Sequence, residues 1–185
     1  ISSSISTSLL GLLSTPANVA LFSPSEKILK AVHGLSTPIF QVFLTPVTQA
    51  VNKNRKKSIS IGTKMVAISF LASTLGALFF YTFSNSIIET ILGTGYPSAP
   101  AILEIAVWAL PFKVATAAIC ILIAIPHRKE KISAQSIFVL LACLVVISPI
   151  FIGLYGAKGM AYSLVLSELI QFLFTVYLIY KKVMK

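Results

Sequence analysis

The chain alternates between long apolar stretches and short gaps, and its positive charges are concentrated in every second gap. Eleven of the fifteen Lys and Arg residues fall in three clusters. The clusters are residues 53–57 with Lys64, residues 128–131, and residues 181–185. The other gaps, at residues 22–25, 84–100 and 154–159, contain no Lys or Arg except Lys158. Cytoplasmic loops of membrane proteins retain Lys and Arg while translocated loops lack them, so the pattern predicts a multipass membrane protein with all three clusters in the cytoplasm.

The composition also favours a membrane protein over a soluble domain. Hydrophobic residues make up 56% of the 185 positions, charged residues 11%, and the mean hydropathy is +0.91. A soluble domain has about a quarter of its residues charged. Because about 20 apolar residues cross a bilayer, we expect an all-α polytopic membrane protein with six transmembrane helices. Their expected bounds are 4–22, 26–51, 65–83, 99–125, 132–152 and 159–182.

Several local signals set the expected helix boundaries. Pro24 and Ser25 are expected to separate the first two helices, with Ser25 as a cap. Kinks are expected at Pro38 and Pro46, and Pro111 lies near the middle of the fourth segment. Residues 93–97 (GTGYP) predict a turn. Both ends of this segment are expected in the cytoplasm, and the start at Ile1, without an initiator Met, indicates a fragment of a longer protein.

Several function classes are disfavoured by the composition. The net charge of +10 is the sum of three loop clusters rather than a continuous basic face, so nucleic-acid binding is not expected. The chain has no Asp, and no triad, HExxH motif or phosphate-binding loop is present, so an enzyme is not expected. Cys120 and Cys143 lie in apolar runs without metal-ligand spacing, so no metal or other cofactor is expected.

A few charges lie within or at the ends of the predicted spans, where each costs about 2.5–3.5 kcal/mol near a helix centre. They are Glu26, Lys27, Lys30, Glu104, Lys113 and Glu168. The second segment has a polar stripe at near-helical spacing, formed by Glu26, Lys30, His33, Thr37, Gln41, Thr45 and Thr48. Such a stripe either lines a water-filled cavity, which we favour, or binds neighbouring helices. His33 alone is more often a hydrogen-bonded structural residue than a proton relay.

The sixth segment has polar residues every four positions, at Ser163, Ser167, Gln171 and Thr175, with Glu168 beside them. Glu168 is either a functional carboxylate or a structural partner for Lys30 or Lys113. Glu104 lies nine residues before Lys113, half a turn out of phase, so the two cannot pair within one helix. Lys113 therefore needs a partner on another helix or an anionic ligand.

Three parts of the chain contain sequence motifs that bear on its family. They are residues 23–30 (SPSEKILK) with 34–41 (GLSTPIFQ), residues 91–96 (ILGTGY) with 101–106 (AILEIA), and residues 154–161 (LYGAKGMA) with Ser167 and Glu168. In that order, they resemble the start and middle of the eighth helix, the entry into the tenth helix and the opening of the twelfth helix of the polysaccharide flippases. Those proteins are the O-antigen (Wzx-type) branch of the multidrug/oligosaccharidyl-lipid/polysaccharide exporters.

The resemblance implies one six-helix lobe of a two-lobed MATE-like transporter in a bacterial cytoplasmic membrane, with the N-terminal half missing. The implied activity is alternating-access transfer of undecaprenyl-diphosphate-linked oligosaccharide from the inner to the outer leaflet. The partners would be that lipid-linked oligosaccharide, membrane lipids and the missing half. Lys30 and Lys113, helped by Lys27, are candidates for the diphosphate, and Thr37, Gln41 and Gln171 for the sugar. Coupling to H⁺ or Na⁺ would fall to Glu168, Glu26 or His33.

Three alternatives remain open at this point. A multidrug exporter of the same superfamily would need more acid than base in its spans, which the Lys residues argue against. A membrane-embedded glycosyl- or acyltransferase would need an acidic or His catalytic centre. A truncated chain without transport of its own is the third.

Overall fold

The computed structural model describes residues 2–93 and 95–184, which form helices without strands. Ile1, Thr94 (in the predicted turn) and Lys185 (in the third basic cluster) lie outside the described residues, as does the side chain of Lys53. The helices are α1 Ser2–Leu13, α2 Pro16–Lys53, α3 Arg55–Thr82, α4 Ser84–Leu92, α5 Ala99–Ala106, α6 Ala109–Ile119 and α7 Lys131–Ile179. Short π-helical turns follow α6 and α7, at Cys120–Ala124 and Tyr180–Met184.

The boundary between the first two helices differs from the prediction. The break lies at Thr15 rather than at Pro24, and Ser25 caps nothing because it lies inside α2. Thr15 is extended (φ −79°, ψ 153°), as the residue before a proline prefers, and Pro16 occupies the first turn of α2, where no backbone donor is needed. The expected first span, 4–22, is therefore wrong: α1 has twelve residues, and residues 16–22 belong to α2.

Helix α2 continues through Pro24, Pro38 and Pro46, and Phe22 and Leu29 pack its N-terminal half into the core. In the fourth predicted segment the interruption falls just before Pro111. Pro111 has no N–H to donate to the Val107 carbonyl, which instead accepts from the Leu110 amide at 3.0 Å. The chain therefore turns at Val107 and Trp108 and begins again as α6.

Helix α7 folds back on itself at Gly156, whose φ of 57° and ψ of −127° are not helical. Thr175 Oγ1 donates to Ser136 Oγ at 2.7 Å although the residues are 39 positions apart. A straight helix, which rises about 1.5 Å per residue, would separate them by about 58 Å. Residues 131–155 and 157–179 therefore form two antiparallel arms. The predicted fifth and sixth segments lie in these arms. Gly159 permits the close turn, because a Cβ there would collide with the Phe151 carbonyl.

The three basic clusters lie at one end of the bundle. An Arg55 guanidinium nitrogen donates to the Val183 carbonyl at 2.7 Å, and Lys182 Nζ donates to Gln135 Oε1 at 3.0 Å. Gln135 lies one turn beyond Lys131, so all three clusters meet there. We call this the basic end, and we call the end that contains Gly156 and α4 the opposite end.

Three helical segments of the described chain are long and apolar enough to cross a membrane. They are Arg55–Thr82, Ala99–Ala124 and Lys131–Val183. This supports a membrane protein built of helices. The first two expected spans are not among these segments, and a count of six crossings remains a prediction.

Candidate functional site

A cavity of about 330 Å³ lies between α2, α6 and the two arms of α7. Its polar wall contains side chains from all four elements, and the remaining wall is apolar. The polar residues are His33, Lys113, Thr116, Cys120, Ser133, Ser136, Glu168 and Gln171. We call this space the central cavity. It reaches from the middle of the bundle, at Lys113 and Glu168, toward Ile125 and Ser133 near the basic end.

Lys113 and Glu168 form an ion pair in the wall of the central cavity. Lys113 Nζ lies 3.5 Å from Glu168 Oε1, and the two side chains are 13% and 1% exposed. Lys113 lies 11 residues before Ala124 and Glu168 lies 11 residues before Ile179, where their helical segments end at the basic end, which corresponds to a depth of about 16 Å. Burial this deep makes each charge dependent on the other. Glu168 is thus the partner that Lys113 lacks on its own helix.

Aromatic packing sets the relative rotation of the two helices that hold this pair. The rings of Phe112 and Phe172 are 5.9 Å apart, and each lies 6.1 Å from the ring of Phe70 on α3. Phe112 immediately precedes Lys113, and Phe172 lies one turn after Glu168. These ring contacts hold α3, α6 and the second arm of α7 together beside the charged pair.

Glu26 forms a second buried acidic group, at the junction of α1 and α2. Its side chain is 6% exposed, it accepts a hydrogen bond from Thr7 Oγ1, and Lys30 Nζ lies 3.9 Å from its Oε1. The side chain of Lys30 is 39% exposed. The Glu26–Lys30 pair on α2 is thus separate from the Lys113–Glu168 pair in the wall of the central cavity.

The predicted site residues are only partly brought together. Lys113, Glu168, Gln171 and His33 line the central cavity. Lys30 and Glu26 pair with each other outside its wall. Thr37 is half-buried, with its hydroxyl directed to the His33 carbonyl at 3.5 Å, and Gln41 is exposed. Lys27 is exposed beside Ile91 near the opposite end.

Polar residues that sequence reasoning did not single out also line the cavity, among them Thr116 and Ser136. Thr116 lies one turn after Lys113 on the same face of α6, and its hydroxyl is buried without a hydrogen-bond partner among the described residues. Ser136 receives the Thr175 hydrogen bond and itself donates to the Ile132 carbonyl. Their spacing from charged or polar residues of the same helices was an available signal.

The arrangement offers a cation, a carboxylate and amide and hydroxyl groups around a space in the bundle interior. These groups can replace the water around an anionic or hydroxyl-rich ligand, and the ion pair can exchange partners. Among the described residues no cluster of His, Cys, Asp and Glu that could hold a metal ion is found.

Comparison of the chain with protein-family models, with curated protein sequences and with solved structures gives no match.

Proposed function

We propose that the chain forms one lobe of a membrane flippase that transfers a lipid-linked, diphosphate-bearing oligosaccharide between leaflets by alternating access. The observation that supports this most is the buried Lys113–Glu168 pair in the wall of a cavity midway along the bundle. A cation held at this depth costs several kcal/mol unless it serves a partner or ligand. A diphosphate is a strong acceptor for an ammonium group, and hydroxyl-rich sugar suits Gln171 and Thr116.

Partner exchange at Lys113 gives this proposal a mechanism. The ammonium is held by Glu168 while the cavity is empty, and an incoming diphosphate competes for it. Glu168 would then be a buried carboxylate without a cation, which is strongly unfavourable unless it takes up a proton. Substrate binding and proton binding at Glu168 are therefore coupled in this proposal, which makes H⁺ the favoured coupling ion.

The polar side of α2 suggests where a second lobe would lie. Gln41, Thr45 and Thr48 continue the polar stripe beyond the cavity and are exposed to the surroundings of this chain. Polar side chains facing lipid are unfavourable, so this surface is expected to border a water-filled pathway. The pathway would lie between the stripe and a second lobe that rocks against it.

The test replaces both members of the ion pair by neutral side chains, so that no unpaired charge is left buried. The variant Lys113→Gln combined with Glu168→Gln is expected to remain in the membrane but to lose export of the sugar unit. Export is measured as surface polysaccharide in a cell whose own flippase is deleted. In that cell the unaltered chain, with any second lobe it needs, must restore export. Adding Lys30→Gln removes the second candidate for the diphosphate. Unchanged export in the triple variant would reject the assignment of the diphosphate to these lysines.

A matched control is available in Lys158, an exposed cation at the opposite end outside the cavity. Lys158→Gln lowers the net charge by one, as the triple variant does, and is expected to leave export within about twofold of the unaltered chain, since an exposed charge at the opposite end contributes little to a distant site. Equal loss in Lys158→Gln and in the triple variant would show an effect of net charge rather than of Lys113 and Lys30.

A further inference from the structure

A second concave site lies on the outer surface of the bundle, away from the central cavity. It is a groove of about 560 Å³ between α3, α5 and the second arm of α7, with Phe151 at one edge. Its wall is mostly apolar, with Val165, Leu166 and Leu169 along one side, and we call it the aromatic groove.

One carboxylate, that of Glu104, lies in the wall of the aromatic groove. Ser84 Oγ donates to its Oε1 at 2.9 Å, which fixes the orientation of the carboxylate. No donor among the described residues binds Oε2. The groove therefore presents a fixed negative charge with an open acceptor.

Aromatic rings line the same groove as this carboxylate. The rings of Tyr81 and Trp108 are 6.2 Å apart, and Tyr162 lines the same groove. All three are exposed by more than a third of their surface. Aromatic faces attract cations, and an ammonium group between such rings and a carboxylate gains from both contacts.

The position of the groove indicates what reaches it. Its lining residues belong to the three helical segments that are long and apolar enough to cross a membrane. Tyr81 lies one residue before the end of α3, and Phe151 and Tyr162 flank the turn at Gly156, so the groove lies near the opposite end. Tyr and Trp at such a level are typical of the membrane interface, where lipid headgroups lie.

We propose that the aromatic groove binds a phospholipid with a primary ammonium headgroup, such as phosphatidylethanolamine. The ammonium group would lie between Glu104 and the rings of Trp108 and Tyr81, with an acyl chain along Val165, Leu166 and Leu169. A lipid with a net negative headgroup is disfavoured by Glu104. A quaternary ammonium keeps the ring contacts but cannot donate an N–H to Oε2. This site does not depend on the proposed transport function.

Trp108 is the only tryptophan in the chain, so its fluorescence reports directly on the groove. The chain is reconstituted in phosphatidylcholine bilayers with increasing fractions of phosphatidylethanolamine or phosphatidylglycerol whose acyl chains are brominated, because bromine quenches tryptophan. The fraction of phosphatidylethanolamine that gives half-maximal quenching is expected to be about three- to tenfold lower than the corresponding fraction of phosphatidylglycerol. Equal quenching by both lipids would overturn the proposal in favour of ordinary surrounding lipid. Absence of quenching would overturn it in favour of a protein segment or a second copy filling the groove.

The variant Glu104→Gln is expected to abolish the preference for phosphatidylethanolamine. Glu89 is an exposed carboxylate of α4 outside the groove, so the control variant Glu89→Gln is expected to keep that preference. A preference that survives Glu104→Gln would contradict the proposed headgroup contact. If Glu104→Gln does not fold, stepwise N-methylation of the brominated lipid tests the same contact on the unaltered protein. Quenching that is unaffected by methylation would then overturn the proposal.

Discussion

The ammonium nitrogen of Lys113 lies 3.5 Å from Oε1 of Glu168 and joins α6 to the second arm of α7 in the middle of the bundle. Only 1% of the Glu168 side chain is exposed, so solvent offers it no alternative partner. Removing one member of a buried ion pair leaves an uncompensated charge, whereas replacing both members by neutral groups is often nearly neutral. Replacing one member of this pair is therefore expected to destabilise the protein, whereas replacing both members is expected to change its stability little.

Replacing Lys113 alone is expected to destabilise the protein strongly. Lys113→Gln should lower the free energy of unfolding by about 3–5 kcal/mol, while Lys113→Gln with Glu168→Gln should stay within about 1 kcal/mol of the unaltered protein. Thermal unfolding of the purified protein in detergent measures both. If the double variant unfolds as readily as the single one, the ion pair is not what makes Lys113 important for stability.

The hydrogen bond from Thr7 to Glu26 gives a second prediction, at the junction of α1 and α2. Thr7→Val keeps the shape of the side chain but removes the donor from a buried carboxylate, at a cost of about 1–3 kcal/mol. Amide hydrogen exchange of α1 should accelerate accordingly. Thr48→Val is the control, because the Thr48 hydroxyl is exposed and bonds only to the Leu44 carbonyl of its own helix. Equal acceleration in both variants would contradict a specific role for Thr7.

The charges of the site could be predicted from the sequence, and Lys30 and Lys113 are both expected as partners for Glu168, but the sequence could not choose between the two lysines. Lys113 and Glu168 stand out because charged residues are rare in apolar segments. Whether they meet depends on the rotation of α6 about its axis, which is set by the break at Trp108 and by the packing of Phe112 against Phe172. These are tertiary contacts between distant parts of the chain, and hydrophobic periodicity does not encode them.

The boundary of α2 shows the same limit on a smaller scale. Pro16 and Pro24 both offer a place for a helix to start, and the sequence alone favoured Pro24. Phe22 is fully buried and Leu29 is 2% exposed, both in one core cluster, so one continuous helix buries them together. This burial offsets the one hydrogen bond lost at Pro24, and the break moves to Pro16, where no bond is lost.

Close packing at the turn of α7 gives a third prediction. Gly159→Ala adds a methyl group that collides with the Phe151 backbone, so the arms must separate, and a loss of about 1–3 kcal/mol is expected. Gly153→Ala is the matched control, since a Cβ there meets nothing within 4 Å. In a helix this replacement gains up to about 1 kcal/mol. The unfolding temperature should fall in Gly159→Ala and rise in Gly153→Ala. An unchanged unfolding temperature in Gly159→Ala would show that the turn is packed less closely than described.

The orientation of the hairpin formed by the two arms of α7 can be tested by labelling from one side of the membrane. Single cysteines replace Lys129, Lys181 or Lys158 in a chain whose Cys120 and Cys143 are changed to Ala. Lys129 and Lys181 flank the basic end, and Lys158 lies beside the Gly156 turn. If the basic end is cytoplasmic, as the distribution of Lys and Arg predicts, an impermeant maleimide added outside intact cells should label only Cys at position 158. The other two positions should react once the membrane is opened. Reaction of positions 129 and 158 from the same side would mean that the first arm of α7 does not cross the bilayer, because the two positions stand at its two ends.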